Sequence, residues 1–204
     1  HAGKQPEAIQ VLRTHLKDLW SYPPVGKELT RWRLAYPLAY QPLIETEATK
    51  QGVPPSLVRA IAREESSFDP NAVSVARAYG LIQLIPSTAK THATPLRLPY
   101  DPMSLKNPEI NLPIGIHFLR FLKDRYYNNV AFIPAAYNAG ETAVDRWLRE
   151  YNRHEVDEWI ENIPYSQTRR YSRRVLQTYG IYHWLATRQL PGMWPHWPST
   201  IQHH

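Results

Sequence analysis

Apolar residues recur along most of this chain at the three- and four-residue spacing of amphipathic helices, and no segment shows a two-residue alternation with a turn partner. From Pro6 to Tyr22, Ile9, Val11, Leu12, Leu16, Leu19 and Trp20 fall at helical spacing, and Pro23 and Pro24 end the run. A short connector follows. Gln41–Gln51, with Leu43, Ile44 and Ala48 apolar, predicts a helix with Pro42 in its first turn and a stop at Gly52. Pro54 and Pro55 open the next helix, Ser56–Ser66, whose apolar face continues to Phe68. Asp69–Tyr79 is rich in turn formers, and Gly80–Leu84 fits either a short helix or a strand. Pro86 marks another helix start, and Pro95–Pro108, with four prolines in fourteen residues, reads as a surface loop. Further helices are expected over Asn111–Tyr127, Val130–Tyr137, Thr142–Tyr151, Glu155–Ile160 and Gln167–Trp184, the second and third separated by Asn138-Ala139-Gly140. The fold class is therefore mainly α. The tail, Pro191–His204, with Trp194 and Trp197, is expected to be extended.

A length of 204 residues suits one domain with extensions. Lys and Arg number 24 against 18 Asp and Glu, a net charge of +6 that favours an anionic polymer as partner. Nucleic acid and cell wall both qualify, but the charges are scattered and no Cys/His finger or RNP strand is present, which disfavours nucleic acid. The absence of cysteine excludes disulfides, thiolate catalysis and Cys-ligated zinc. No apolar run approaches the roughly 18 residues of a membrane span, and His1–Gln10 does not read as a signal peptide.

Candidate chemistry lies on the helix that starts at Pro54-Pro55. At about 100° per residue, Leu57, Val58, Ile61 and Phe68 cluster on one face, with Glu65 roughly 40° from its centre and Glu64 roughly 60° away on the other flank. Desolvation at the edge of an apolar face disfavours a charged carboxylate, which is what a general acid requires. Helical spacing prefers Glu65 over Glu64 only slightly. A lone glutamate in such a place is more often a surface residue, so the neighbouring strings decide.

Ala62-Arg63-Glu64-Glu65-Ser66-Ser67-Phe68-Asp69-Pro70 resembles the first motif of the soluble lytic transglycosylases, whose acid is the Glu before Ser. Ser74 through Gly80-Leu81-Ile82-Gln83 resembles the second motif, and Ala135-Ala136-Tyr137-Asn138-Ala139-Gly140 the third, without a gap. Tyr36-Pro37-Leu38-Ala39-Tyr40, Asn107-Pro108-Glu109 with Asn111 and Gly115, and Ile163-Pro164-Tyr165-Ser166 with Thr168-Arg169 and Tyr171 extend the resemblance over residues 36–185. It implies a goose-lysozyme-like α domain with a substrate cleft; the N-terminal helical arm (1–35) and the Trp/Pro-rich tail (186–204), read from spacing and composition, lie outside it.

The same resemblance implies cleavage of the bond between N-acetylmuramic acid and N-acetylglucosamine in peptidoglycan glycan strands, in the periplasm or cell envelope, by a monomer without cofactor or metal. Glu65 would protonate the leaving oxygen, then take a proton from the C6 hydroxyl to close a 1,6-anhydro ring. Ser74, Gln83, Tyr137, Asn138 and Tyr171 would be substrate-binding or supporting residues, and Glu109 a partly buried structural one. Their plainer readings are a turn serine, a satisfied polar group, core tyrosines and a helix cap. Three departures stand out: Ile82 where Met is usual, which alters apolar reach toward a sugar; Arg77 where Gly is common, which implies a different loop path if a positive φ is needed; and Gln167 where Glu is frequent, which alters stem-peptide pairing. A hydrolytic muramidase, with Asp69 or Glu64 as second carboxylate, and a non-catalytic peptidoglycan-binding domain are the alternatives.

Overall fold

The computed structural model describes Ile9, residues 25–151, residues 155–189 and residue 191. The helix expected over Pro6–Tyr22 and the tryptophans of the tail lie outside the described residues, apart from Ile9, which is buried. Among the described residues the α-helices are α1 (Glu28–Ala35), α2 (Gln41–Gln51), α3 (Pro55–Ser66), α4 (Pro86–Ala93), α5 (Pro108–Arg125), α6 (Phe132–Ala139), α7 (Glu141–Glu150), α8 (Val156–Glu161) and α9 (Ser166–Thr187). The only strand-like pairing among them is two isolated antiparallel bridges, Val73 with Tyr79 and Tyr79 with Leu84.

Helix α3 is the axis of the domain. Ser56 through Arg63 are all buried, because α9 packs along one side of α3 and α2 along another. Helix α5 closes over α2 and α4, while α6 bridges α5, α7 and α9. One continuous apolar core joins these elements, with Trp147, Trp159 and Phe132 fully or almost fully buried at the α6–α8 end. The ring of Phe132 meets that of Trp159 edge-on at 4.8 Å, a favoured aromatic geometry.

Several boundaries differ from the periodicity reading for identifiable reasons. The connector contains helix α1, whose Trp32 and Ala35 enter the core and whose Trp32 ring stacks on Tyr36 at 5.8 Å. Helix α3 ends at Ser66 as expected, since Ser67 and Phe68 adopt left-handed backbone with φ of 53° and 66°. The Phe68 amide reaches back to the Ala62 carbonyl, so Phe68 enters the core from the turn rather than from the helix. Helix α5 begins three residues early because Asn107 caps the Glu109 amide at 3.0 Å and Pro108 occupies the first turn. Only Gly140, with φ of 84°, separates α6 from α7; Asn138 and Ala139 stay helical.

Gly80–Leu84 is neither helix nor strand but a tight turn closed by reciprocal hydrogen bonds between Tyr79 and Leu84, both 3.0 Å. Two close approaches fix it. A Cβ on Gly80, whose φ is 79°, would lie 2.2 Å from the Leu105 carbonyl oxygen. Buried Asn111 accepts from the Ile82 amide (3.1 Å) and donates to the carbonyls of Tyr79 (3.0 Å) and Leu105 (2.9 Å). Ile82 drives its side chain into the space left by Gly115 on α5, where a Cβ would meet Ile82 Cδ1 at 1.5 Å. The chain therefore uses Ile82 as core filling, not as an apolar contact offered to a sugar.

That packing makes a measurable demand. Gly115→Ala should destabilise the protein by about 1–3 kcal/mol, the usual range for overpacking a filled core. Ile82→Val, which removes the clashing methyl, should recover part of the loss in the double variant. Urea unfolding of the four proteins checks the coupling, and strict additivity would show that residues 82 and 115 do not share this space.

Candidate active site

Glu65 occupies the last turn of α3, partly exposed at the edge of the core. Its carboxyl is pushed up from 4.5 to about 7, chiefly by burial; the neighbouring Glu64 charge acts the same way, while the Tyr171 hydrogen bond and the Arg174 charge oppose the rise. The location adds to the effect, because the C-terminal end of a helix carries partial negative charge. Tyr171, buried on α9, donates its hydroxyl to Glu65 Oε1 at 2.5 Å. Burial and the adjacent Glu65 hold the Tyr171 phenol well above its ordinary value, so it remains a donor through the range in which Glu65 titrates.

The two adjacent glutamates have divided roles. The Glu64 side chain is only 3% exposed, and it accepts from Arg63 Nη1 (3.0 Å), Arg174 Nε (3.2 Å) and Thr178 Oγ1 (2.9 Å). Arg63 is held in turn by two hydrogen bonds to the Ala35 carbonyl and by stacking 4.4 Å over the Tyr36 ring. Glu64 is thus committed to a structural ion-pair network, whereas Glu65 faces one neutral donor.

The other candidates are distributed around this carboxyl. Tyr137, from α6, sends its hydroxyl to the Ile82 carbonyl at 2.6 Å and lies close enough to Glu65 for that charge to raise its own pKa, after burial. Its ring packs against Phe118 at 5.1 Å. Gln83 adopts φ of 50°, and its amide nitrogen closes the turn on the carbonyls of Gly80 (2.9 Å) and Ala72 (3.1 Å). Ser74 is exposed, and its Oγ accepts from the Ala78 amide at 3.0 Å across the preceding turn. Asn138, also exposed, accepts from Thr168 Oγ1 at 2.8 Å and so ties the end of α6 to the first turns of α9. Direct contact with the carboxyl thus comes from Tyr171.

The three departures also resolve structurally. Arg77 itself adopts φ of 56°, so the loop retains a left-handed residue at that position without glycine and bears the strain. Gln167 is exposed in the first turn of α9. Glu109 is exposed rather than partly buried, because it lies on the outer side of the first turn of α5. Ser66 was not singled out by sequence, yet its Oγ donates to the Leu81 carbonyl at 2.7 Å and locks the end of α3 to the Gly80–Leu84 turn. The Glu-Ser pairing was the available signal. Arg174 and Thr178 were also missed, although they recur on the Tyr171 face of α9 at helical spacing.

Helices wrapped about a central helix, with a carboxyl of raised pKa at the end of that helix, define an all-helical domain with one perturbed glutamate at the edge of its core. The chain matches the Transglycosylase SLT domain model over residues 42–160 and belongs to that family. It is 36% identical over 151 residues to the soluble lytic murein transglycosylase of Escherichia coli strain K12, covering 72% of this chain and 23% of that protein. A putative soluble lytic murein transglycosylase of Haemophilus influenzae is 37% identical over 169 residues, covering 82% and 28%. The chain thus spans less than a third of the length of these relatives.

Among solved structures, the 70 kDa soluble lytic transglycosylase in complex with bulgecin A superposes with a TM-score of 0.77 at 28% identity, covering 96% of this chain and 33% of that one. An inactive Glu-to-Gln mutant of the Pseudomonas aeruginosa lytic transglycosylase gives 0.76 at 28%, covering 95% and 32%. The lysozyme-like helical fold and the family implied by the motifs are both observed.

A raised carboxyl has a thermodynamic consequence. The stability associated with protonated Glu65 is complete below pH 4.5 and is lost as pH rises through about 7. Glu65→Gln should therefore stabilise the protein at pH 8 by about 2–3 kcal/mol more than at pH 4.5. Urea unfolding at the two pH values checks this, and a stability difference independent of pH would mean that Glu65 titrates normally.

Proposed function

We propose that residues 36–185 form the catalytic domain of a lytic transglycosylase that cuts peptidoglycan glycan strands between N-acetylmuramic acid and N-acetylglucosamine and leaves 1,6-anhydromuramic acid ends. The observation that carries the reading is the isolation of Glu65: one carboxyl raised to about 7 beside a neutral hydroxyl, with its neighbour Glu64 engaged by two arginines and a threonine. Ordinary glycoside hydrolysis uses two carboxylates, whereas here a single one must serve both halves of the reaction.

In the first half, protonated Glu65 gives its proton to the glycosidic oxygen as the C1–O bond breaks, and the 2-acetamido group of the muramic sugar stabilises the cationic C1. In the second, the Glu65 carboxylate takes the proton of the C6 hydroxyl while O6 bonds to C1. The proton returns to Glu65 and no water is consumed. Tyr171 suits this cycle because its hydrogen bond favours the ionised form needed midway. Substrate contacts are assigned to Ser74 and Gln83 on the turn segment, Tyr137 and Asn138 at the end of α6, and Tyr171 on α9. The inactive Glu-to-Gln mutant of the Pseudomonas aeruginosa relative supports a glutamate-dependent reaction. The remaining assignments are an N-terminal arm over 1–35, an accessory tail over 186–204, a monomeric state and a place in the periplasm or cell envelope.

Asp69 does not favour the muramidase reading, since its carboxylate is engaged by the Asn71 amide at 2.9 Å within a turn. Mass spectrometry of muropeptides released from purified sacculi separates the possibilities. Anhydro ends, lighter by one water than hydrolysed ends, are the expected product; hydrolysed ends would make the protein a muramidase, and no release would make it a binder.

Glu65→Gln should lose at least about 10²–10⁴ in rate, the usual worth of a general acid, with fold and glycan binding kept. Because the acid must start protonated, kcat/KM should fall above about pH 7, where the carboxyl ionises.

Tyr171→Phe removes a bond that favours the ionised carboxylate, so the alkaline limb should move to higher pH while kcat drops about tenfold or more. An unmoved limb in that variant would detach Tyr171 from the acid.

A further inference from the structure

Helix α9 lays three side chains against the end of α3 at helical intervals: Tyr171 on Glu65, then Arg174 and Thr178 on Glu64. Arg174 is 52% exposed, whereas its partner carboxylate is 3% exposed, so one member of the pair is fixed in the protein and the other sits in solvent. On the inner side Glu64 is held by Arg63, itself anchored on Ala35 and Tyr36. Building on the reading of Glu65 as the acid, we infer that Glu64 and Arg174 are a charge couple that positions Glu65 against Tyr171 and governs how readily Glu65 releases its proton.

The geometry supplies both functions. Three donors on the Glu64 carboxylate fix the backbone of the last α3 turn relative to α9, and the adjacent residue is thereby held with Tyr171 at 2.5 Å. The side chain next in sequence to the acid thus carries the clamp. Electrostatically, the two members act on Glu65 in opposite directions: the Glu64 charge disfavours its ionisation and the Arg174 charge favours it. Among the described residues the other titratable groups near the acid are two neutral phenols, Tyr171 from α9, which donates to it, and Tyr137 from α6, which donates to the Ile82 carbonyl. From α2, Glu45 is engaged by Arg59 at 2.6 Å. Among the described residues, Glu64 and Arg174 are therefore the charged neighbours that act on the acid.

Opposed influences predict opposed variants. Glu64→Gln keeps the volume and an acceptor for Thr178 but leaves two guanidinium groups uncompensated, so Glu65 should ionise at a pH about 0.5–1 unit lower. Arg174→Gln leaves the Glu64 charge less balanced, so Glu65 should ionise at a pH about 0.5 unit higher, an effect that shrinks in high salt because the site is half-exposed. The double variant should lie near the wild type.

Carbon-13 NMR titration of the glutamate carboxyls, with Glu65→Gln used to identify the signal, reads these shifts without relying on turnover. The alkaline limb of kcat/KM on sacculi should follow them. Opposite shifts that cancel in the double variant are the result expected, and Arg174→Gln, at a half-exposed position, provides the test even if Glu64→Gln unfolds. Shifts of the same sign, or none, would overturn the inference. If the carboxyl signal shifts as expected but the activity profile stays fixed, the charge couple stands and the assignment of Glu65 as the catalytic acid falls.

Discussion

A carboxyl group at the C-terminal end of a buried helix is opposed by both desolvation and the helix dipole, and much of this domain is arranged to hold Glu65 in that unfavourable place. The local chain could not do so alone. Ser67 and Phe68 turn the backbone sharply after Ser66 and return it to the core, which prevents the last turn of α3 from fraying toward water. Helix α9 then covers the same turn with a phenol on one carboxyl and an arginine and a threonine on the other.

The turn over Gly80–Leu84 serves the same purpose from the opposite side. Its carbonyls are not left to solvent: that of Leu81 receives Ser66 of α3, and that of Ile82 receives Tyr137 of α6. Asn111 of α5 completes the set through three further hydrogen bonds. A five-residue turn without regular structure therefore ties three helices together, and its rigidity comes from buried polar groups each with a partner. The aromatic layer behind it, Tyr137 on Phe118 and Phe118 on the His92 ring at 4.8 Å, continues the packing toward α4.

Much of this was legible in the sequence. The 3.6-residue periodicity placed α2 and α3 with near-correct limits, because prolines start them and Gly52 or a polar turn ends them. Helix α1 escaped notice because its eight residues carry a mixed pattern, in which Leu34 is exposed while Trp32 is buried. The motif singles out Glu65 more than its angular position does, since both glutamates flank the apolar face and it is their contacts with Arg63 and α9 that distinguish them. Arg77 misled because backbone strain leaves no mark in composition; a left-handed arginine looks like any other. Likewise, the roles of Ser66 and Asn111 are satisfied hydrogen bonds to main-chain carbonyls, and the partner of such a bond is invisible in a linear string.

The connectivity of these contacts has a bearing on synthesis. Glu65 is reached by the ribosome long before Tyr171, 106 residues later, yet the environment that alters its acidity exists only once α9 has docked. A nascent or partly folded chain exposes an ordinary glutamate to water. The surroundings that set the acidity of Glu65 thus belong to the assembled fold and not to the local sequence, because they join segments 106 residues apart.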